Sequence, residues 1–208
     1  MTTIQDMIQK GAEILTKGGI VVYPTDTVYG LGACFDNISS VTRIYEIKNR
    51  PFSTALPILL ADTSWIGRYA IAVSSYAEQL IEAFFPGALT LILTKAASIP
   101  AILTGGRDTI ALRVPAHPVT LALIEQTGKA VTGTSANLSG LPSAHSADDA
   151  QAQIGDRVDF IIDGGRCPGG TESTIVDATG EVPVIVRKGA ISFEEIASVC
   201  HVINNNEE

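Results

Sequence analysis

The sequence lacks most of the features that announce a function. No apolar run approaches the roughly 18 residues needed to cross a bilayer. The opening residues, Met1-Thr2-Thr3-Ile4-Gln5-Asp6, carry no basic stretch leading into an apolar segment. Neither a membrane partner nor a secretory leader is predicted, and a cytoplasmic protein is the expectation. Three cysteines, Cys34, Cys167 and Cys200, lie far apart with no CxxC pair, which argues against a disulfide framework and a zinc knuckle. They read as buried free thiols. Histidines are equally few: His117 precedes a proline, His145 lies in a polar stretch and His201 is near the end, so no triad offers itself. Gly133-Thr134-Ser135-Ala136-Asn137 lacks the second glycine of a nucleophile elbow. The glycine-rich run Gly164–Gly170 lacks the Gly-Lys-Ser/Thr ending of a P-loop. Cations are outnumbered, 14 Lys and Arg against 22 Asp and Glu, and the net charge of −8 disfavours a grip on duplex nucleic acid. A local basic cleft for a small anion remains compatible with that balance.

Apolar residues make up 46% of the 208 and charged residues 17%, enough for one substantial core. Helical spacing runs from Thr2 to Lys17, with Thr2 or Thr3 as cap and Gly18-Gly19 at the exit. Ile20–Tyr23 reads as a buried strand, and Pro24 opens a loop lasting to Gly32. A helix starts at Ser39-Ser40 and ends before Pro51. Leu56–Leu60, Leu89–Leu93, Thr109–Val114, Ala130–Gly133, Asp159–Ile162, Thr174–Val176 and Val182–Val186 read as strands. Helices are predicted to start at the capping box Ser75–Glu78, at Pro118, at Ser146 and at Ser192. Asn204–Glu208 reads as a frayed tail. The elements interleave without a linker or repeat, which predicts one α/β domain over residues 1–203 with a mixed sheet.

Two polar islands stand out of this apolar background: Lys48-Asn49-Arg50-Pro51 and Ser135-Ala136-Asn137-Leu138-Ser139-Gly140. Residues i and i+2 at a helix end point apart, so Lys48 and Arg50 share a ligand only if the chain turns there. A solvated helix terminus is the alternative. Thr25-Asp26-Thr27 supplies two hydroxyls and a carboxylate at a strand end, where open α/β sheets bind ligands. An Asx or ST turn explains the same residues equally well. Arg113 and Arg187 sit at strand ends, and Ser173 follows the glycine-rich run.

In chain order these pieces read YPTDTVYGLG, KNRP, ALRVP, SANLSG, a GG-x-C-x-GG loop, STIVD and VRKG. The series resembles the YrdC domain family of threonylcarbamoyl-AMP synthases, in its short TsaC-type form without an extra C-terminal domain. The resemblance runs from about Gly19 to Ile191. It implies a single-domain α/β fold: a twisted mixed sheet flanked by helices, with a large concave cleft. It also implies a nucleotidyltransferase that makes threonylcarbamoyl-AMP and pyrophosphate from L-threonine, bicarbonate and ATP, with magnesium accompanying the ATP. The adenylate would pass to tRNA-modifying threonylcarbamoyl-transferase proteins acting on adenosine 37, and a weak direct contact with tRNA is left open. By this resemblance Arg50, Thr54, Thr109, Ser135, Ser143 and Arg187 contact ATP, while Thr27, Arg113, Gly133 and Ser173 line a threonine pocket. Lys48 and Asn137 join Arg50 and Ser135 as catalytic residues facing the phosphates. The resemblance assigns no metal ligand to a side chain. Leu59 stands where many relatives carry histidine in a PL-x-x-H pattern. The rival readings are a non-catalytic RNA-binding module and a relative without synthase activity.

Overall fold

Several short apolar runs closed by glycine or proline become strands here, and hydroxyl or amide side chains cap five of the helices. The computed structural model describes residues 2–204. The helices are α1 (Ile4–Thr16), α2 (Ile38–Lys48), α3 (Ile66–Tyr69), α4 (Ser75–Phe84), α5 (Ala101–Thr104), α6 (Pro118–Thr127), α7 (Ala147–Ile154) and α8 (Phe193–Ala197). Capping boxes open α1 at Thr3, α7 at Ser146 and α8 at Ser192, each with an acidic residue three positions on. Two predicted starts move. Ser74, not Ser75, caps α4 by accepting the Ala77 amide, and Asn37 caps α2 by accepting that of Ser40. The Ser40 hydroxyl is instead turned back onto the Gly18 carbonyl.

The strands are β1 (Val21–Tyr23), β2 (Gly30–Gly32), β3 (Ile58–Leu59), β4 (Ala70–Ala72), β5 (Leu89–Lys95), β6 (Thr109–Arg113), β7 (Val131–Thr132), β8 (Thr134–Ser135), β9 (Phe160–Ile161), β10 (Thr174–Asp177), β11 (Val184–Arg187) and β12 (Ile203–Asn204). They form two sheets rather than the one expected. The smaller has the order β8-β2-β1-β9, and the larger β12-β11-β10-β5-β6-β3-β7 with β4 paired to β5. Both mix parallel and antiparallel neighbours: β3 runs parallel to β6, and β6 antiparallel to β5. The chain crosses between the sheets at Gly133, the single residue separating β7 from β8. β2 lies inside the segment read as a loop. Its glycines let the Tyr23 ring lie across the strand, since a Cβ on Gly30 would sit 2.5 Å from the ring. Asn204, expected in the tail, pairs with Ile185, and residues 205–208 of that tail lie outside the described residues.

Two apolar clusters fill the fold. The larger packs Leu31, Ile44, Ile58, Leu91, Leu112 and Val176 between sheets and helices, all fully buried. The second is built by α1 and α6 through Ile8, Leu15, Leu123 and Ile124. The three cysteines are buried and free, as their spacing predicts. No helix among the described residues is long and apolar enough to cross a membrane.

One backbone feature sets up the site. Asn49 ends α2 in the left-handed conformation, φ 50° and ψ 49°, and the Arg50 amide closes the helix end onto the Tyr45 carbonyl. Asparagine tolerates this conformation and a β-branched residue does not. We expect Asn49→Val to destabilise the fold by about 1–2 kcal/mol, and Asn49→Gly to stay within about 0.5 kcal/mol of wild type. Denaturant midpoints test this; a valine variant with the wild-type midpoint contradicts it.

Candidate active site

Alternate residues of neighbouring strands share one face of the larger sheet. Leu59 lies opposite Arg113, Ala111 opposite Ile92, and Ile175 is flanked by Thr90 and Arg187. All of these line a cleft of about 230 Å³. Residues of the other register, Leu91, Leu112 and Val176, are fully buried in the core beneath. The facing wall comes from the smaller sheet, with Thr134 and Ser135 of β8 and with Thr27 and Val28 just before β2. Gly133 joins floor to wall: a Cβ there would lie 2.6 Å from Leu59 Cγ, so the junction accepts only glycine while leucine holds the neighbouring position.

Three guanidinium groups converge on this cleft, those of Arg50, Arg113 and Arg187. Arg113 is nearly inaccessible. Its Nε donates to the Gly87 carbonyl at 2.8 Å, Nη1 to Thr27 Oγ1 at 3.0 Å and Nη2 to Asp26 Oδ1 at 2.7 Å. Asp26 also accepts the Ala116 amide at 3.0 Å, so it fixes Arg113 rather than closing its own turn. The turn is made by Thr25, whose hydroxyl donates to the Val28 carbonyl. The same oxygen accepts the Thr27 and Val28 amides at 3.1 and 3.2 Å and lies 2.9 Å from the Thr27 hydroxyl. Thr27 Oγ1 accepts from Arg113, and the residue lines the cleft. Arg187 pairs with Glu172 at 2.7 Å and donates to the Ser173 carbonyl through Nε and Nη2. Arg50 makes only two long contacts, to Thr134 Oγ1 at 3.4 Å and the Ala55 carbonyl at 3.3 Å, and no ion pair among the described residues. It is the cation with the most donors left for an anion.

Lys48 does something different from Arg50. The residue is 3% exposed, and its ammonium donates to the Ser135 carbonyl at 2.6 Å, the Asn137 carbonyl at 3.0 Å and Asn137 Oδ1 at 2.8 Å. Those are all the donors an ammonium has. Asn137 is tied down on both sides: Oδ1 also accepts the Ser135 hydroxyl at 2.8 Å, and Nδ2 donates to the Leu141 carbonyl at 2.6 Å. Burial, helped by the nearby Arg50 charge and opposed by Glu172, pushes the Lys48 ammonium down to about 8. The left-handed Asn49 separates the two roles, sending Lys48 inward and Arg50 to the cleft.

Of the twelve residues predicted for the site, seven line the cleft: Thr27, Arg50, Arg113, Gly133, Ser135, Ser173 and Arg187. Lys48 and Asn137, expected to face the phosphates, stand behind the wall and bond each other. Thr109 lies on the face of β6 that carries Ala111 and Arg113, beyond the lining. Thr54 precedes Ala55, a lining residue, and Ser143 reaches the rim through Glu172 Oε1 at 3.0 Å. Thr90, Thr134 and Glu172 line the cleft without having been predicted. Thr90 is one alternation step from Ile92 on β5, and its hydroxyl meets that of Ser173 at 2.8 Å.

Removing the Lys48 ammonium leaves three buried acceptors unpaired. We expect Lys48→Met to destabilise the protein by about 1–3 kcal/mol at pH 7.5. The folded ammonium titrates near 8 and the unfolded one near 10.5. Burial of the charge therefore opposes folding fully below 8 and is relieved as pH rises to 10.5. The wild-type advantage over Lys48→Met should grow across that window. An advantage that shrinks, measured by denaturant unfolding at each pH, contradicts the burial assigned to Lys48.

Comparison with known proteins agrees with this architecture. The sequence profile of the family described as Sua5_yciO_yrdC, telomere recombination, matches residues 13–189. The threonylcarbamoyl-AMP synthase of Pyrococcus abyssi is 41% identical over 192 residues, covering 92% of this chain and 56% of that protein. The crystal structure of P. abyssi Sua5 complexed with L-threonine matches with a TM-score of 0.91 at 37% identity, over 96% of this chain and 59% of that one. E. coli YciO matches with a TM-score of 0.84 at 32% identity, over 92% and 93% of the two chains. This chain thus spans a little over half the length of the Pyrococcus relative. On the family match and these identities, the chain belongs to the Sua5–YciO–YrdC family.

Proposed function

We propose that this chain is a nucleotidyltransferase that forms threonylcarbamoyl-AMP and pyrophosphate from L-threonine, bicarbonate and ATP. The carrying observation is the convergence of Arg50, Arg113 and Arg187 with the hydroxyls of Thr27, Thr134, Ser135 and Ser173 on one cleft. A relative of the same family is named for this reaction, and another is solved with L-threonine bound. Those relatives are longer than this chain, so the reading rests on the cleft's own chemistry as well.

The threonine amine condenses with bicarbonate, losing water, to a carbamate that then bonds to the α-phosphorus of ATP as the bond to pyrophosphate breaks. The carbamate oxygen is the nucleophile, so no protein nucleophile is called for. Arg50 and Arg187 supply charge for the phosphates, with Ser135 beside them; its hydroxyl, which donates to Asn137 Oδ1, would have to turn to meet a phosphate oxygen. Thr54, Thr109 and Ser143 would then contact ATP only beyond the cleft lining described here. At the other end the Thr27 hydroxyl would meet the threonine hydroxyl, with Arg113, Gly133 and Ser173 around it. Lys48 and Asn137 act as positioning residues that hold the Ser135 loop. Fixed donors aimed at developing charge, together with alignment of the reactants, supply the acceleration.

Magnesium fits this cleft as a companion of the triphosphate rather than as an ion in a protein cage. The carboxylate in the lining, that of Glu172, is taken up by Arg187 and Ser143. When bound, the ion would neutralise phosphate charge. The product would serve tRNA-modifying threonylcarbamoyl transferases acting on adenosine 37 of ANN-decoding tRNAs in the cytoplasm.

The test is pyrophosphate release from ATP with L-threonine and bicarbonate omitted in turn. We expect release to require both, and release that ignores either sinks the proposal. Arg50→Ala should lower turnover at least about a hundredfold while the melting midpoint is kept. Near-normal turnover in that variant removes Arg50 from the machinery.

A further inference from the structure

Two ion pairs border the cleft, and they are built differently. Arg113 and Asp26 are 7% and 14% exposed, and Asp26 is held a second time by the Ala116 amide. Arg187 and Glu172 are 42% and 39% exposed. Both Glu172 oxygens are occupied, Oε2 by Arg187 Nη1 at 2.7 Å and Oε1 by Ser143 Oγ at 3.0 Å. Neither side of this pair depends on the other for its place. Arg187 is anchored to Ser173 through three contacts, from Nε to the carbonyl at 3.2 Å and from Nη2 to the carbonyl at 2.8 Å and to Oγ at 3.2 Å. The Glu172 backbone is fixed by its carbonyl, which accepts the Ala190 amide at 2.9 Å and lies 2.5 Å from where a Gly189 Cβ would stand. Only the carboxylate arm is left to turn, and an ion pair this exposed exchanges easily.

We propose that Glu172 is an internal counter-anion: its carboxylate occupies Arg187 and Ser143 until an anionic group of the substrate displaces it, and so it sets how tightly the cleft holds phosphate. This deepens the nucleotide reading given above and rests on it. Arg187 stays anchored to Ser173 when the carboxylate leaves, so displacement frees a guanidinium already in place. Removing the Glu172 charge should then tighten phosphate binding, whereas a purely structural glutamate would weaken it when changed.

The experiment is calorimetric titration of wild type and Glu172→Gln with inorganic pyrophosphate, ATP and adenosine. Glutamine keeps the shape and an acceptor for Ser143 but not the charge. We expect the Kd of pyrophosphate and of ATP to fall about three- to tenfold, as loss of one partly screened like charge implies, with adenosine unchanged. In turnover, KM for ATP should fall without a rise in kcat. A Kd that is unchanged or raised in a variant with the wild-type melting midpoint overturns the proposal, and so does a gain shared by adenosine. If Glu172→Gln melts early, Glu172→Ala titrated with pyrophosphate carries the same expectation and the same refutation. Pyrophosphate that binds more tightly to Glu172→Gln while ATP fails to bind wild type leaves the counter-anion standing and removes the nucleotide reading. If pyrophosphate binds neither protein, the counter-anion falls.

Discussion

A buried ammonium holds this site together. Lys48 sits in the last turn of α2, and its charge is kept from water by the loop that follows β8. Such burial is tolerable only when every proton finds an acceptor, and the Ser135 and Asn137 carbonyls with the Asn137 amide oxygen provide three. The contact joins segments 87 to 89 residues apart in the chain. Because Asn49 turns the backbone left-handed immediately afterwards, the same clamp that pins the Ser135 loop also fixes the direction of Arg50. The two polar islands are thus one structure with a hidden half and a presented half.

The presented half is electropositive within an acidic protein. Asp26 and Glu172 each answer one arginine, and Arg50 is left without a carboxylate partner among the described residues. A net charge of −8 therefore describes the surface and not the cleft. Such an arrangement suits a small polyanion held by a few oriented donors, against a floor made apolar by Leu59, Ala111, Ile92 and Ile175.

Much of the fold was legible because many of its strands are short apolar runs near a glycine or proline, and five of its helices carry side-chain caps. What escaped depends on contacts distant in sequence. β2 is nearly all glycine and becomes a strand because Tyr23 lies across it. Residue Gly133 looks like a flexible spacer, yet it is where the chain changes sheets. In the site, Arg50, Arg113 and Arg187 were readable as cations at the ends of elements, and Thr27 and Ser173 as hydroxyls beside them. The division of labour between Lys48 and Arg50 was not readable, because it hangs on the φ angle of one asparagine. Glu172 and Thr90 escaped because their partners, Arg187 and Ser173, come from neighbouring strands and loops.

With nucleotide bound, Lys48 should keep clamping the loop while Arg50 meets the ligand. A crystal structure of the protein with a non-hydrolysable ATP analogue tests it most directly. Phosphate oxygens are expected within hydrogen-bonding distance of the Arg50 guanidinium, with Lys48 Nζ still on Asn137 and the Ser135 carbonyl. Lys48 Nζ bonded to a phosphate oxygen, with its loop contacts broken, would contradict it.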